Sequence, residues 1–404
     1  MHSSSRNTCN ARSWFLLLSC LACSVAQANP GDPLQVSAGL SYNHDNNLFR
    51  LNDGDPGYDG QRGDSSRQTN VGLSYDQTFG RQVVSLQGNL SDIRYDHFTQ
   101  LNYHGKDYQG KVNWHLGNDL DGNLGVTYNS TLASYADVRS NQRVLRQREY
   151  DFFDGGWRLL ARWRLRVALS RDKASYDLAS VQVINRIDRA YEAGVDYSVG
   201  NGSTVGLLAR RVEGRYPLQG ALAHSIFDSS YNQDEAKLRV VWRLNNNLDT
   251  QLTAGRARRT HLYFSGDDSS GFNTRLTANW AATAAVQVSA AAWREFAPLE
   301  STLVSYSLNR GGNLTAVWNR SAKLRFDANL RYERRAFNGL APGVNPALAD
   351  GDATRQTSLA AVYAPLAGAQ LRASLFRDSR GGASLFGLGA YHANGFSLNA
   401  NVQF

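Results

Sequence analysis

Seven histidines, His44, His97, His104, His115, His224, His261 and His392, lie beyond the amino-terminal segment, and metal or general-base chemistry would have to be built from them. No two stand at a metal-ligand spacing such as His-x-x-x-His, so no zinc site is suggested. A Ser or Asp working with His97 or His261 near a rim would make a hydrolytic site. No nucleophile motif accompanies either, and both read as polar strand-end or loop residues. The 36 glycines stand singly in strands or turns, which favours bends and tight turns over a phosphate-binding loop. The residues therefore predict no enzyme, no catalytic residue, no metal and no cofactor.

What remains is charge arranged with a period of two. That pattern points ten basic residues to one face: Lys111, Arg164, Arg166, Arg210, Lys237, Arg239, Arg275, Arg325, Arg331 and Arg372. Asp76, Glu149, Asp151, Glu192, Asp196, Glu235 and Asp327 oppose them. Such a face is either a path mildly favourable to anions or a wall of ion pairs that neutralises itself.

The elements that carry these residues read as strands. In the last segment Phe396, Leu398, Ala400, Val402 and Phe404 are apolar, while Ser397, Asn399, Asn401 and Gln403 between them are polar. No helix sorts residues in this way. The pattern recurs at Val36 to Tyr42, Val71 to Tyr75, Leu124 to Tyr128, Trp163 to Leu169, Ala236 to Trp242 and Leu324 to Leu330. The segments run about 9 to 14 residues, enough for a tilted strand to cross hydrocarbon. Short turns such as Gly80-Arg81 and Gly200-Asn201-Gly202 take turns with longer loops, about Asn46 to Ser66 and Phe337 to Asp352.

The expected fold is all-β: a transmembrane antiparallel β-barrel of the outer-membrane type. It has about 18 strands, with 16 as the alternative, short periplasmic turns and long extracellular loops. A soluble sandwich or propeller shares the alternation, but two features separate it from the barrel. Trp114, Trp157, Trp163, Trp242, Trp280 and Trp318 all sit beside short turns, as an interfacial aromatic girdle would. The chain also ends on Phe404 within an alternating strand, which resembles the signal read by the barrel-assembly machinery.

The chain has 404 residues, 19% of them charged, and its mean hydropathy is negative, so a bundle of spanning helices is excluded. The run Trp14 to Val25 follows Arg6 and Arg12 and leads to Ala26-Gln27-Ala28, the order of a signal peptide. The predicted division is residues 1–28 as signal peptide and 29–404 as barrel. At about 12 residues the run is short for an uncleaved anchor. All three cysteines, Cys9, Cys20 and Cys23, precede the cut, so disulfides and thiolate metal sites are not expected beyond it. A lipoprotein box at Leu17-Leu18-Ser19-Cys20 is disfavoured by its bulky Leu18. Of 43 basic residues, 41 remain after cleavage against 35 acidic ones, too small an excess to suggest nucleic acid.

The stretch Leu40-Ser41-Tyr42-Asn43-His44-Asp45-Asn46-Asn47-Leu48-Phe49-Arg50-Leu51 resembles the opening of the EpsL-like exopolysaccharide biosynthesis proteins of the outer membrane. These are often exosortase-associated and fall within a broader group of β-barrel porins. Tyr95-Asp96-His97-Phe98, Leu101-Asn102-Tyr103 and Trp114-His115-Leu116-Gly117 are similar to the same family. The resemblance runs the length of the mature chain, but its motifs are structural. It implies a passive conduit through which an extracellular polysaccharide leaves the cell, with periplasmic polysaccharide-export components as partners. The residues alone equally allow a general or anion-preferring small-solute porin. An outer-membrane enzyme or an adhesive scaffold is the third class. On either channel reading the location is the outer membrane of a Gram-negative bacterium, among lipid and lipopolysaccharide. Asn46-Asn47-Leu48-Phe49 is expected to form a turn with an aromatic anchor at the outer lipid interface.

Overall fold

The computed structural model describes residues 32–136, 140–219, 229–261, 268–298, 304–340, 351–382 and 389–404. The expected signal peptide, His224 and residues 341–350 of the second long loop lie outside the described residues.

Among the described residues eighteen strands follow one another. They are β1 (Leu34–Asp45), β2 (Asp64–Phe79), β3 (Gln82–Tyr95), β4 (Tyr103–Leu116), β5 (Leu120–Leu132) and β6 (Leu145–Leu160). Next come β7 (Trp163–Tyr176), β8 (Arg186–Gly200), β9 (Ser203–Arg215), β10 (Ser230–Asn245), β11 (Leu248–His261) and β12 (Ser269–Ala281). The last are β13 (Val286–Pro298), β14 (Val304–Asn319), β15 (Leu324–Leu340), β16 (Asp352–Leu366), β17 (Ala369–Gly382) and β18 (Tyr391–Gln403). Each pairs antiparallel with its neighbour, and β1 pairs with β18, so the sheet closes on itself and has no edge. The final residue completes the seam: the Phe404 N–H donates to the Val36 carbonyl at 2.7 Å, and the Val36 N–H donates back at 3.0 Å.

Alternation decides which side meets which medium. Leu40, Leu73, Leu207, Leu276, Leu359 and Leu398 stand on one face, and each leaves about half or more of its surface uncovered. In water such a continuous apolar exterior would be a liability, whereas in a bilayer it is the required solvent contact. No helix among the described residues is long and apolar enough to cross a membrane. The closed wall satisfies its own backbone hydrogen bonds, which crossing by strands demands.

Local chemistry explains the turns and the register. Gly80 and Gly368 adopt φ of 63° and 79° in two of the short connections, a region that favours glycine. Within the wall, rings lie over glycines of the neighbouring strand. A Cβ on Gly125 would stand 2.8 Å from the Phe152 ring, and one on Gly311 would stand 2.8 Å from Trp293. Those contacts pin register where a side chain is missing.

Candidate functional site: the lumen and its outer mouth

All ten basic residues expected on the wet face carry the register of the inner wall, opposite the phase of the exposed leucines. Nine of them make ion pairs across or along strands. Arg166 and Arg239 share Asp196 at 3.4 and 3.0 Å, while Lys237 and Arg210 share Glu235 at 2.5 and 3.5 Å. Arg325 and Arg372 share Asp327 at 2.9 and 2.7 Å. Arg164 reaches Asp121, Arg275 reaches Glu295 and Arg331 reaches Glu333. Lys111, Asp76 and Glu192 also face inward, with no ion pair to a described residue.

Two acids expected inside are on the other face. Asp151 stands directly opposite Val126 and Arg171, and Glu149 opposite Tyr128 and Lys173, in phase with Phe153 and Trp157. The Arg171 guanidinium lies 3.4 Å from each carboxylate, forming an outward cluster above the apolar band. Placing these two acids in the lumen ignores the phase set by the aromatic residues of the same strand.

Other inner-wall charges were missed, among them Asp107, Asp121, Arg148, Asp154, Asp172, Asp188, Glu295 and Glu333. Their inclusion brings acidic and basic groups on the inner wall close to balance. Their signal was available, because each alternates with outward residues of its strand.

The six tryptophans named above lie on the outward face beside short turns. Trp114 stacks on Phe153 at 5.8 Å, Trp163 packs on Tyr197 at 4.9 Å, and Trp318 stacks on Phe326 at 5.4 Å. Trp293 instead faces inward. It lies between the guanidinium groups of Arg275 and Arg331 and donates its indole N–H to Glu333 at 3.0 Å.

The wall thus combines an apolar outer band, an aromatic level and a wet, ion-paired interior. This is a closed antiparallel β-barrel of the outer-membrane type. No protein-family model and no curated protein match the barrel. Solved structures of outer-membrane proteins resemble it. OpdK of Pseudomonas aeruginosa shares 10% identity at a TM-score of 0.45, covering 92% of this chain and 99% of that one. OccAB3 of Acinetobacter baumannii shares 11% at 0.45 over the same spans. OccK9 (OpdG) of Pseudomonas aeruginosa shares 14% at 0.46, covering 92% and 98%. Likeness this low transfers no solute to the barrel.

The outer mouth is partly filled by its own loops. In the β1–β2 loop Phe49 is 2% exposed and packs against the rings of Tyr58, Phe98 and Tyr135 at 4.8, 4.8 and 4.9 Å, with Leu51 and Leu101 buried beside it. The expected aromatic anchor at the lipid interface is therefore a turn whose aromatic residue is buried among loops. Asn47, 1% exposed, fixes that turn: its side chain bonds the Leu51 N–H and carbonyl, and the His392 carbonyl on β18. The Asp64 carboxylate accepts from the backbone N–H groups of His97 and Phe98.

Two contacts tie the loops to β17. Arg50 pairs with Asp45 at 2.7 Å and with Asp378 on β17 at 3.3 Å. Burial works against the Arg50 charge, but those carboxylates outweigh it and hold the guanidinium above its ordinary pKa. Arg380 of β17 donates to the carbonyl of Ala136 in the β5–β6 loop at 2.5 Å. Since β18 and β1 to β4 stand between β17 and β5 around the ring, that loop leans across the opening. Burial pushes the Tyr135 hydroxyl above its ordinary pKa, and it donates to the Gln142 carbonyl at 3.1 Å.

On the opposite side the inner wall is also packed. Arg259, 1% exposed, lies 4.1 Å from the centroid of the Tyr231 ring and donates twice to Gln233. Among the described residues no group of His, Cys, Asp and Glu could hold a metal ion.

Proposed function

We propose that the barrel is a diffusion channel for small polar solutes, weakly selective by charge and limited by size at its outer mouth. The observation that carries this reading is an inner wall of mutually neutralising ion pairs beneath a mouth narrowed by a buried loop cluster. An 18-strand wall encloses more than its side chains fill. Paired charges keep the space wet while cancelling most of the field a permeating ion would feel. Export of a polysaccharide, implied by the family resemblance, would require the loops anchored by Asn47 and Arg50 to swing aside. Assembly through the strand that ends at Phe404 is part of the same proposal.

Liposome swelling tests the channel. Proteoliposomes should swell rapidly in monosaccharides and progressively less in longer oligosaccharides. Swelling no faster than in protein-free vesicles would refute a channel. Undiminished swelling in long oligosaccharides would refute the size limit and return the polymer reading.

A further inference from the structure

On β13 to β17 the outward face is apolar up to one level, where five arginines stand, one per strand: Arg294, Arg310, Arg334, Arg355 and Arg377. Arg294 is directly opposite Arg310, and Arg310 is directly opposite Arg334. Like charges facing each other across strands repel and are destabilising unless something neutralises them. No acidic residue among the described ones occupies an outward position on these five strands: Glu295, Asp327, Glu333, Asp352 and Asp378 all carry the inward register. Elsewhere outward charges are mixed, as where Arg171 meets Glu149 and Asp151, and Arg211 meets Glu213 and Asp234. Arg310, Arg334, Arg355 and Arg377 are all exposed. The one-sided basic row thus has no counter-charge within its own wall.

Its height is informative. Arg310 is eight residues along β14 from Trp318, and Arg334 is eight along β15 from Phe326. With a rise of about 3.3 Å per residue and a tilt of about 40°, the row lies roughly 20 Å above the aromatic level. The apolar band of such barrels is about 25 Å tall, so the guanidinium groups stand near the headgroups of the outer leaflet. Below the row a trough of about 680 Å³ runs over the same strands, from Leu375, two residues from Arg377, down to Trp318 and Phe326 at the aromatic level. Ala316, Ala328, Ala361 and Ala373 form its floor, with Leu359 and Leu375 among its ridges.

We propose that this face binds a phosphorylated, acylated glycolipid of the outer leaflet, of the lipid A class, with its phosphates on the arginine row and an acyl chain in the alanine-floored trough. Guanidinium groups match phosphate oxygens in forked pairs, and the row offers one on each of five adjacent strands. The apolar trough supplies what a free phosphate would not use. The site is on the outer wall and is independent of what passes through the lumen.

The test uses the full barrel, extracted from outer membranes in mild detergent and stripped of co-purifying lipid. It is titrated with diphosphoryl lipid A, dephosphorylated lipid A and phosphatidylglycerol, with native mass spectrometry as the readout. The wild type should prefer the diphosphoryl form. R310Q/R334Q should weaken that binding by about thirtyfold, while R171Q, from the mixed-charge cluster, should change it less than twofold. A328L/A361L, which fills the trough but keeps the charges, should weaken both lipid A forms. Equal binding of the two forms by the wild type, equal affinity for phosphatidylglycerol, or an equal loss in R171Q would overturn the assignment. Should R310Q/R334Q fail to show heat-modifiable folded mobility, the wild-type comparison together with R377Q decides it.

Discussion

Removing the Asp378 carboxylate should loosen the outer mouth without touching the wall below. In Asp378→Ala, Arg50 loses an acceptor at 3.3 Å and the Tyr391 hydroxyl loses one at 3.2 Å, while Asp45 still neutralises Arg50 at 2.7 Å. These groups are well shielded, with side-chain exposures of 16% for Arg50 and 13% for Asp378, so solvent replaces the lost contact poorly. A hydrogen bond to a charged group in such surroundings is worth about 1.5–3 kcal/mol. Taking about 2 kcal/mol, the population with the β1–β2 loop detached rises roughly thirtyfold. Single-channel recording in planar bilayers should show new, brief excursions to higher conductance. The control is Asp96→Ala, whose bridge to Arg67 at 3.1 Å is exposed on both sides and should contribute little. If Asp378→Ala gives the dwell times and conductance of the wild type, or if Asp96→Ala has the same effect, the loop cluster is not what narrows the mouth.

Other expected outcomes concern charge, packing and pH. Glu235→Gln leaves Lys237 and Arg210 without the carboxylate they share, so the reversal potential in a salt gradient should move toward anion selectivity. Gly311→Leu drives a side chain into the Trp293 ring and the Tyr332 carbonyl; overpacking of this kind costs about 1–3 kcal/mol, and the folded fraction seen by heat-modifiable mobility should fall. The buried Tyr135 hydroxyl has a raised pKa, so the loop stability it contributes is complete below about pH 10 and is lost as pH rises through the folded-state value. Conductance excursions should therefore increase in alkali, and Tyr135→Phe should shrink that transition, which the buried Tyr95 and Tyr391 hydroxyls share. Asn47→Ala removes three hydrogen bonds from a buried turn and should loosen the mouth more than Asp378→Ala does.

The wall was legible because its code is local. A period of two, the phase of the leucines and tryptophans, and the spacing of turns are all contained within a dozen residues, and 18 strands follow from counting them. Glu149 and Asp151 show where that reading slips. Their own strand places them in phase with Phe153 and Trp157, and only a bias toward inward charge moved them inside. The mouth was not legible, because its contacts are non-local. Phe49, Phe98 and Tyr135 come from three loops that alternation does not describe, and nothing in their spacing says that the rings meet. Trp293 fell between the two cases: its parity was inward, but its value as a platform for Arg275 and Arg331 depends on strands on either side of it.

The motif residues that carry the family resemblance have a physical meaning that does not concern cargo. Asn47, Phe49 and Leu51 come from its first stretch, Phe98 from its second and Leu101 from its third, and all five are buried at the mouth. Asn102 of the third stretch accepts from the Tyr95 N–H at the base of the same loop. A buried Asn that satisfies a turn and a ring cluster that excludes water both fail on substitution, whatever solute passes beneath. These residues therefore speak for the mouth and not for a cargo. On the proposed channel function, the width left beside that mouth and the paired charges of the inner wall set the solute.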